Sequence, residues 1–277
     1  VVFNSAMTTS IQPNHSIAFD SNSNKVVIVY KDNGNSNQGT AIVGNVDPSN
    51  NSISFGGETV FETGHTTHPV VAFDSSNNKV LISFKDYDDS QRGKAIVGTI
   101  SGTSISFGSA AQFSSSSTSL LSTVFDSSNN KVIIAYRDVT ASNAGKAVVA
   151  TISGTSVSFG TAVQFDANAD YISASFDSDT NKVILSYLLD ADTDSGQAVV
   201  GTVSGTAISF GTPVTFASAS AARISSAYDT SAKKTVVFYR DGTNSDLGKV
   251  VELETSGTSL TASSVTQFSA SVTSVTS

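Results

Sequence analysis

Residues 125–138 read Phe-Asp-Ser-Ser-Asn-Asn-Lys-Val-Ile-Ile-Ala-Tyr-Arg-Asp. The stretch joins an aromatic residue and an aspartate to a Ser/Asn turn, followed by a basic residue that opens an apolar run. Similar phrases occur five times in the 277 residues, with their first aspartate at Asp20, Asp74, Asp126, Asp177 and Asp229. The spacings are 54, 52, 51 and 52 residues. Such a regular period indicates that the repeat is the unit of folding.

Each repeat contains four strand-like segments and no segment with a helical apolar period. In the second repeat these are strand A (69–74), strand B (79–84), strand C (94–100) and strand D (104–113). Four-stranded units in tandem predict an all-β fold, a five-bladed β-propeller with antiparallel blades. A β-solenoid is the alternative, but it would use shorter coils and parallel pairing.

We expect a single domain over residues 1–277, with repeats at 15–61, 69–113, 121–165, 172–216 and 224–268. Residues 1–14 and 269–277 would close the ring or continue it in a longer chain. The aromatic residue before each repeat aspartate is expected to pack between neighbouring blades. These residues are Phe19, Phe73, Phe125, Phe176 and Tyr228.

Charge and composition narrow the classes of partner. The net charge is −8 and Lys plus Arg number only 15, so we expect no nucleic acid partner, because phosphate binding needs a basic surface. No apolar stretch approaches the roughly 18 residues that cross a bilayer, so no membrane insertion is expected. The chain has no Cys, which excludes disulfides and thiolate catalysis.

The repeats differ from one another on one face only. The A-to-B and C-to-D turns are nearly uniform Ser/Asn and Ser-Gly-Thr sequences, as turn chemistry alone would require. The B-to-C and D-to-A loops vary, which is typical of recognition loops on a rigid frame, although neutral drift would look the same. The candidate ligand-binding residues on this variable face are His65, His68, Asp88, Asp89, Arg92, Asp170, Tyr171 and Arg223.

The B-to-C loop has a fixed length, since Gly follows the last aromatic residue of strand B by nine positions in every repeat. An Asp at position +2 and a Ser or Thr at +6 are most simply explained as caps of the loop backbone. His65 and His68 could hold a metal at i, i+3 spacing, but no third ligand is evident nearby in the sequence.

The fourth repeat departs from this pattern, because Leu189 occupies position +2. Asp190, Asp192 and Asp194 then alternate before Gly196, much as carboxylates alternate in Ca²⁺-binding loops. The usual bidentate Glu is absent, since position 201 is Gly. A solvated acidic loop is therefore the alternative to a Ca²⁺ site.

Catalytic residues are not evident. Only four Glu occur; Glu58 and Glu62 flank an outer strand, and Glu252 and Glu254 lie in strand C of the last repeat. We therefore expect neither the carboxylate pair of a glycosidase nor any other enzyme activity.

The repeat resembles those of structural and tail-fibre-like proteins of marine phages and of related bacterial surface proteins. Residues 125–138 and the phrase Gly-Thr-Val-Ser-Gly-Thr-Ala-Ile-Ser-Phe-Gly at 201–211 carry the resemblance. It implies a non-enzymatic structural or attachment module, such as an adhesin, that is extracellular or on a virion surface. The expected partner is a protein of the same assembly or a surface glycan.

The alternative function is that of a soluble carbohydrate-binding lectin. Sugar sites usually contain stacking aromatic residues, yet the chain has no Trp. Tyr87 and Tyr171 are the aromatic residues that the variable loops offer for stacking.

Overall fold

The computed structural model describes residues 2–3, 11–190, 194–218 and 220–270. These residues form β-strands throughout, and their only helical segments are two single turns of 3₁₀-helix, at Val139–Ala141 and Gly242–Asn244. The all-β expectation is confirmed. None of the helices found in these ranges is long and apolar enough to cross a membrane.

The strands follow the period of the sequence. The first two repeats contain β1 (Val2–Phe3), β2 (Ile11–Asp20), β3 (Lys25–Asp32), β4 (Gln38–Asp47), β5 (Ser52–Phe55), β6 (Thr59–Asp74), β7 (Lys79–Asp86), β8 (Arg92–Ser101) and β9 (Ser104–Phe107). The third repeat adds β10 (Ala111–Asp126), β11 (Lys131–Asp138), β12 (Ala144–Ser153), β13 (Ser156–Phe159) and β14 (Val163–Asp166). The last two repeats contain β15 (Ala169–Asp177), β16 (Lys182–Leu189), β17 (Ser195–Ser204), β18 (Ala207–Phe210), β19 (Val214–Ala217), β20 (Ala221–Asp229), β21 (Lys234–Asp241), β22 (Leu247–Ser256), β23 (Ser259–Ala262) and β24 (Thr266–Ser269).

The chain divides into two compact units. The first comprises Val1–Val132 and Ala150–Phe159, and the second comprises Ile133–Val149 and Gly160–Ser277. In the first unit β3 pairs with β2 and β4, and β4 pairs in turn with β5 and with the start of β6. The second unit repeats this arrangement as β15-β16-β17 and β20-β21-β22, with a divided outer strand on β17 and on β22. Each such repeat is therefore a four-stranded antiparallel sheet, whose outer strand D consists of two pieces.

The link from strand D to the next strand A is extended, not a loop. Residues 62–68 lie within β6, which pairs first with β4 and then with β7, and residues 114–119 lie within β10. This corrects the expectation of D-to-A loops at these two places. Ser220, in the last link, has left-handed backbone with φ of 50°. Each of the four links also contains such a residue six positions before the repeat aspartate. These residues are His68, Leu120, Tyr171 and Arg223, with φ of 52°, 52°, 45° and 54°.

The uniform turns are held by the repeat aspartate. The carboxylate of Asp126, for example, accepts the backbone N–H groups of Ser128 and Asn129 at 2.9 and 3.0 Å. Asn130 then takes φ of 53°, a conformation that Asn tolerates better than most residues. The same arrangement recurs at Asp20, Asp74 and Asp177, which confirms the prediction from turn chemistry.

Two other aromatic positions, and not the residue before the repeat aspartate, supply the buried rings. The last aromatic residue of strand B is almost fully buried in all five repeats, at Tyr30, Phe84, Tyr136, Tyr187 and Tyr239. The phenylalanine of strand D stacks on this ring in the following repeat, with centroids 5.3 Å apart for Phe61–Phe84, 5.1 Å for Phe165–Tyr187 and 5.5 Å for Phe216–Tyr239. By contrast Phe19 is exposed, and Phe73, Phe125, Phe176 and Tyr228 are only half-buried.

The glycine at position +9 allows this stacking. A Cβ at Gly145 would lie 2.5 Å from the ring of Phe165 and 2.7 Å from Cβ of Ala169. Similar overlap with the strand-D ring would occur at Gly39, Gly93, Gly196 and Gly248. Gly is therefore needed at position +9 because an aromatic ring lies against the backbone there, and not because of the conformation of the loop.

Replacing Gly145 with Ala should lower the free energy of unfolding by about 1–3 kcal/mol, because the new methyl group overpacks the Phe165 ring. Gly57→Ala is the matched control, since a Cβ there meets nothing within 4 Å. Urea denaturation of both variants measures the difference. Equal midpoints would contradict the proposed role of the glycine.

Candidate functional site

The aspartate at position +2 of the B-to-C loop has a structural role. The carboxylate of Asp138 accepts the backbone N–H groups of Thr140 and Ala141 at 3.1 and 3.2 Å, and Lys146 donates to it at 2.8 Å. Asp86 binds Lys94 in the same way at 2.7 Å. The capping prediction is confirmed for the carboxylate. The Ser at position +6 instead has left-handed backbone, with φ of 54–57° at Ser36, Ser90, Ser142 and Ser245.

The first unit brings several candidate residues together. His65 donates its backbone N–H to Asp88 at 2.8 Å, and its ring lies 4.5 Å from the ring of Tyr87. Asp89 pairs with Arg92 at 3.0 Å and with Lys94 at 2.9 Å, and the hydrogen bond from Lys94 is the main cause that lowers the pKa of Asp89. Asp89, Arg92 and Lys94 thus pair with one another. The exposed ring of Tyr87 is the main surface that this group of residues offers to a ligand.

His68 has a different position from His65. His68 is half-buried and is itself the left-handed residue of its D-to-A link, with φ of 52°. Across the residues with described coordinates, no group of three or more His, Asp or Glu side chains could hold a metal ion. Asp192 lies outside the described residues, so the predicted set of Asp190, Asp192 and Asp194 stays a prediction.

The second unit contains an open pocket of about 240 Å³, here called the acidic cleft. Its lining residues are Asp170, Tyr171, Leu188, Asp190, Asp194, Ser220, Ala221, Ala222 and Arg240. The cleft brings together two of the predicted ligand-binding residues, Asp170 and Tyr171, and two of the predicted metal ligands, Asp190 and Asp194. A third predicted binding residue, Arg223, lies above the Tyr171 ring with its guanidinium carbon 5.5 Å from the centroid.

Hydrogen bonds orient the wall that Asp170 and Tyr171 form. The backbone N–H of Tyr171 donates to Asp170 Oδ1 at 2.8 Å, and Arg137 Nη1 lies 3.4 Å from Asp170 Oδ2. Tyr171 has φ of 45°, which is strained for an aromatic residue. The carboxylate and the ring are therefore held in fixed positions at the rim of the cleft.

The changed sequence of the fourth B-to-C loop forms another part of the cleft. Leu189 replaces the capping aspartate and Gln197 replaces the lysine that would pair with it. Backbone contacts tie this loop to its neighbours instead: Asp190 N–H donates to Asn168 O at 3.2 Å, and Ala221 N–H donates to Asp194 O at 2.9 Å. Asp190 has no lysine or arginine partner within the described ranges.

Sequence reasoning missed Arg137 and Arg240 as residues of this region. A signal was present, because a basic residue follows the strand-B aromatic in four repeats, at Lys31, Lys85, Arg137 and Arg240. The fourth repeat has Leu188 at this position, and Leu188 lines the cleft. Arg240 Nη1 lies 3.4 Å from Asp246, so it brings a partly neutralised positive charge to the cleft.

Comparison with known proteins shows a shared fold and no assigned family. No protein-family model and no curated protein sequence matches the chain. AofleA from Arthrobotrys oligospora is similar in structure, with a TM-score of 0.60, 9% identity, and coverage of 96% of this chain and 74% of that one. An exo-β-1,3-galactanase from Phanerochaete chrysosporium, solved with galactose, has a TM-score of 0.52 and 9% identity over 87% of this chain and 60% of that one. RS223-β-xylosidase matches with a TM-score of 0.49 and 11% identity over 92% of this chain and 95% of that one.

The neighbours with TM-scores above 0.5 are of β-propeller type, and the repeated four-stranded sheets fit that fold. They correct two expectations from the sequence. A glycoside hydrolase, the galactanase, shares the fold, which overturns the expectation of a non-enzymatic structural module. The neighbours also support no virion, tail-fibre or adhesin assignment. The expectation of a carbohydrate partner agrees with them, and that of a protein assembly partner gains no support.

The pH dependence of stability tests the capping role of Asp138. Burial alone would raise the pKa of Asp138, but hydrogen bonds from Lys146 and Thr140 outweigh it and hold the pKa below its usual range. The stabilisation that ionised Asp138 gives the folded state is complete above the pKa of an unfolded-state Asp, about 4. It is lost as the pH falls through the lower pKa of Asp138 in the folded state.

Asp138→Asn should therefore reduce the free energy of unfolding at pH 7 by about 1.5–3 kcal/mol, the usual range for hydrogen bonds to a charged group. The difference in the free energy of unfolding between this variant and the unsubstituted protein should become smaller below pH 4. Urea denaturation at pH 7, 5 and 3 provides the test, and a difference that does not change with pH would refute the charge-dependent role.

Proposed function

We propose that the chain is a carbohydrate-processing β-propeller of five four-stranded blades and that it hydrolyses glycosides in the acidic cleft. The observation that carries the proposal is the convergence of Asp170, Asp190 and Asp194 with an aromatic ring and an arginine in one open pocket. The fold shared with the galactanase supports the same class of reaction. A pocket of about 240 Å³ suits one or two sugar units better than a long polymer segment.

Glycoside hydrolysis requires two carboxyl groups on either side of the scissile bond. Asp170 is held in place by Arg137 Nη1 and by the backbone N–H of Tyr171. It would act as the base or as the group that stabilises positive charge on the sugar. Asp190, which follows the paired strand β16, would protonate the leaving oxygen. Tyr171 would stack on the apolar face of a sugar ring.

Three carboxyl groups outside the acidic cleft have scaffold roles. Asp138, Asp177 and Asp241 all have lowered pKa values, and each accepts backbone hydrogen bonds in a turn or loop. A lowered pKa is the opposite of what a general acid requires. These three residues are therefore not candidates for the general acid.

Hydrolysis of neutral oligosaccharides, including β-1,3-galactan fragments, tests the proposal by release of reducing ends. Asp170→Asn and Asp190→Asn should each reduce the rate by about 10²–10⁴-fold, the usual contribution of a general acid or base. Asp47→Asn is the matched control, because Asp47 does not line the acidic cleft and caps a C-to-D turn. Saccharide binding without release, or full activity of both cleft variants, would contradict the proposal.

As the alternative to proton donation by Asp190, which a bound cation would keep ionised, we propose that the fourth B-to-C loop binds Ca²⁺ through Asp190 and Asp194, together with Asp192. Oxygen-rich loops in extracellular modules bind Ca²⁺ with dissociation constants of about 10⁻⁴–10⁻³ M, which would suit an extracellular location. A ligand that binds only the folded state stabilises it by about 2.7 kcal/mol at 100 times its dissociation constant.

Adding excess Ca²⁺ to protein treated with a chelator should therefore raise the melting temperature, and Asp194→Asn should abolish the increase. Mg²⁺ at the same concentration is the control for ionic strength. A melting temperature that Ca²⁺ leaves unchanged would leave a solvated acidic loop.

A further inference from the structure

A second pocket in the second unit, of about 270 Å³, has a different character from the acidic cleft. Phe216, Ser218, Tyr239, Asp241 and Lys249 are among its lining residues, so it is called the Tyr239–Lys249 pocket below. Its volume is close to the lower end of the roughly 300–1,000 Å³ that ligand sites occupy. None of these residues takes part in the proposed hydrolysis.

Lys249 lacks the ion pair that its counterparts make. It occupies the same repeat position as Lys94 and Lys146, which contact the loop aspartate at 2.7 and 2.8 Å. In the fifth repeat the equivalent carboxylate, Asp241, instead accepts the side-chain amide of Asn244 at 2.7 Å and the hydroxyl of Thr243 at 2.6 Å. Lys249 therefore has no salt bridge in the described part of the chain.

Tyr239 also lacks the partner of its counterparts. Tyr187 donates its hydroxyl to Asp166 at 2.8 Å, and Tyr30 donates to Glu58 at 2.5 Å. The residue equivalent to Asp166 in this repeat is Ala217, and the Tyr239 hydroxyl has no acceptor among residues 194–218 and 220–270. Yet only 3% of Tyr239 is exposed, and the residue lines the pocket.

The protonation state of Tyr239 makes it a donor. Burial, followed by the negative charge of Asp241, raises the pKa of Tyr239 to about 12. At neutral pH the pocket therefore contains a neutral hydroxyl donor and an ammonium group with free donors. Asp241 accepts three hydrogen bonds from Thr243 and Asn244, and the charge of Lys249 is among the causes that lower the pKa of Asp241.

We infer that the Tyr239–Lys249 pocket binds the anionic group of an acidic sugar. A carboxylate or sulfate ester would accept hydrogen bonds from both the tyrosine hydroxyl and the lysine ammonium, and the latter would be charge-assisted. The inference rests on the proposed function for the saccharide part of the ligand and adds to it a subsite for an acidic residue. The anion-binding part rests only on the unpaired donors.

Binding of D-glucuronate, glucose 6-sulfate and neutral D-glucose to the full chain, followed by NMR, tests the inference. Either anionic sugar should bind at least tenfold more tightly than glucose, and the preferred one identifies the anionic group. Lys249→Ala should remove this preference, and Tyr239→Phe should weaken anion binding severalfold while keeping the buried ring. Lys146→Ala is the matched control and should leave binding unchanged, because Lys146 already pairs with Asp138.

Equal binding of all three sugars, or an unchanged preference in Lys249→Ala, would overturn the inference. The Tyr239→Phe arm remains informative if Lys249→Ala fails to fold, and melting temperatures identify that case. Failure of the proposed function is distinguishable. Loss of hydrolysis with retained glucuronate binding counts against the acidic cleft alone, and hydrolysis without anion preference counts against this pocket alone.

Discussion

The contact between the phenylalanine of strand D and the glycine of strand C is the interaction on which the rest of the fold depends. The ring of Phe165 covers Gly145 so closely that no side chain fits there, and its other side stacks on Tyr187 of the next repeat. One side chain thus joins strand pairing within a repeat to packing between repeats. A second close approach, of Gly160 to the carbonyl of Thr206, joins neighbouring repeats again at the C-to-D turn.

Because these contacts use only a few positions, the rest of each repeat is free to vary. The left-handed residue of the D-to-A link shows this freedom, since His68, Leu120, Tyr171 and Arg223 all adopt the same backbone there. Two repeats that lack a side-chain pair found elsewhere in the chain contain pockets. The fourth repeat lacks the aspartate–lysine pair and contains the acidic cleft, and the fifth lacks the tyrosine–carboxylate bond and contains the Tyr239–Lys249 pocket.

Sequence reasoning could predict what depends on local chemistry. Strand order, the Ser/Asn turns and the capping role of Asp138 follow from spacing and hydrogen-bonding capacity, and the structure confirms them. Burial was harder to predict, because Phe125 and Tyr136 are equally regular in the repeat, and only packing decides that Tyr136 is the buried one. The contribution of Arg240 to the cleft was missed for a similar reason, since it comes from a neighbouring repeat.

The central claim is that saccharide binds in the acidic cleft. The most direct test is to map the chemical-shift changes of the protein's backbone amides when a saccharide binds. Titration with a neutral oligosaccharide substrate should shift the amide signals of residues 168–171, 188–190 and 220–223, around the acidic cleft. The uniform turns, such as residues 127–130, should not respond. Shifts confined to those turns, with none around Tyr171 and Asp190, would place recognition on the opposite loops and contradict the account.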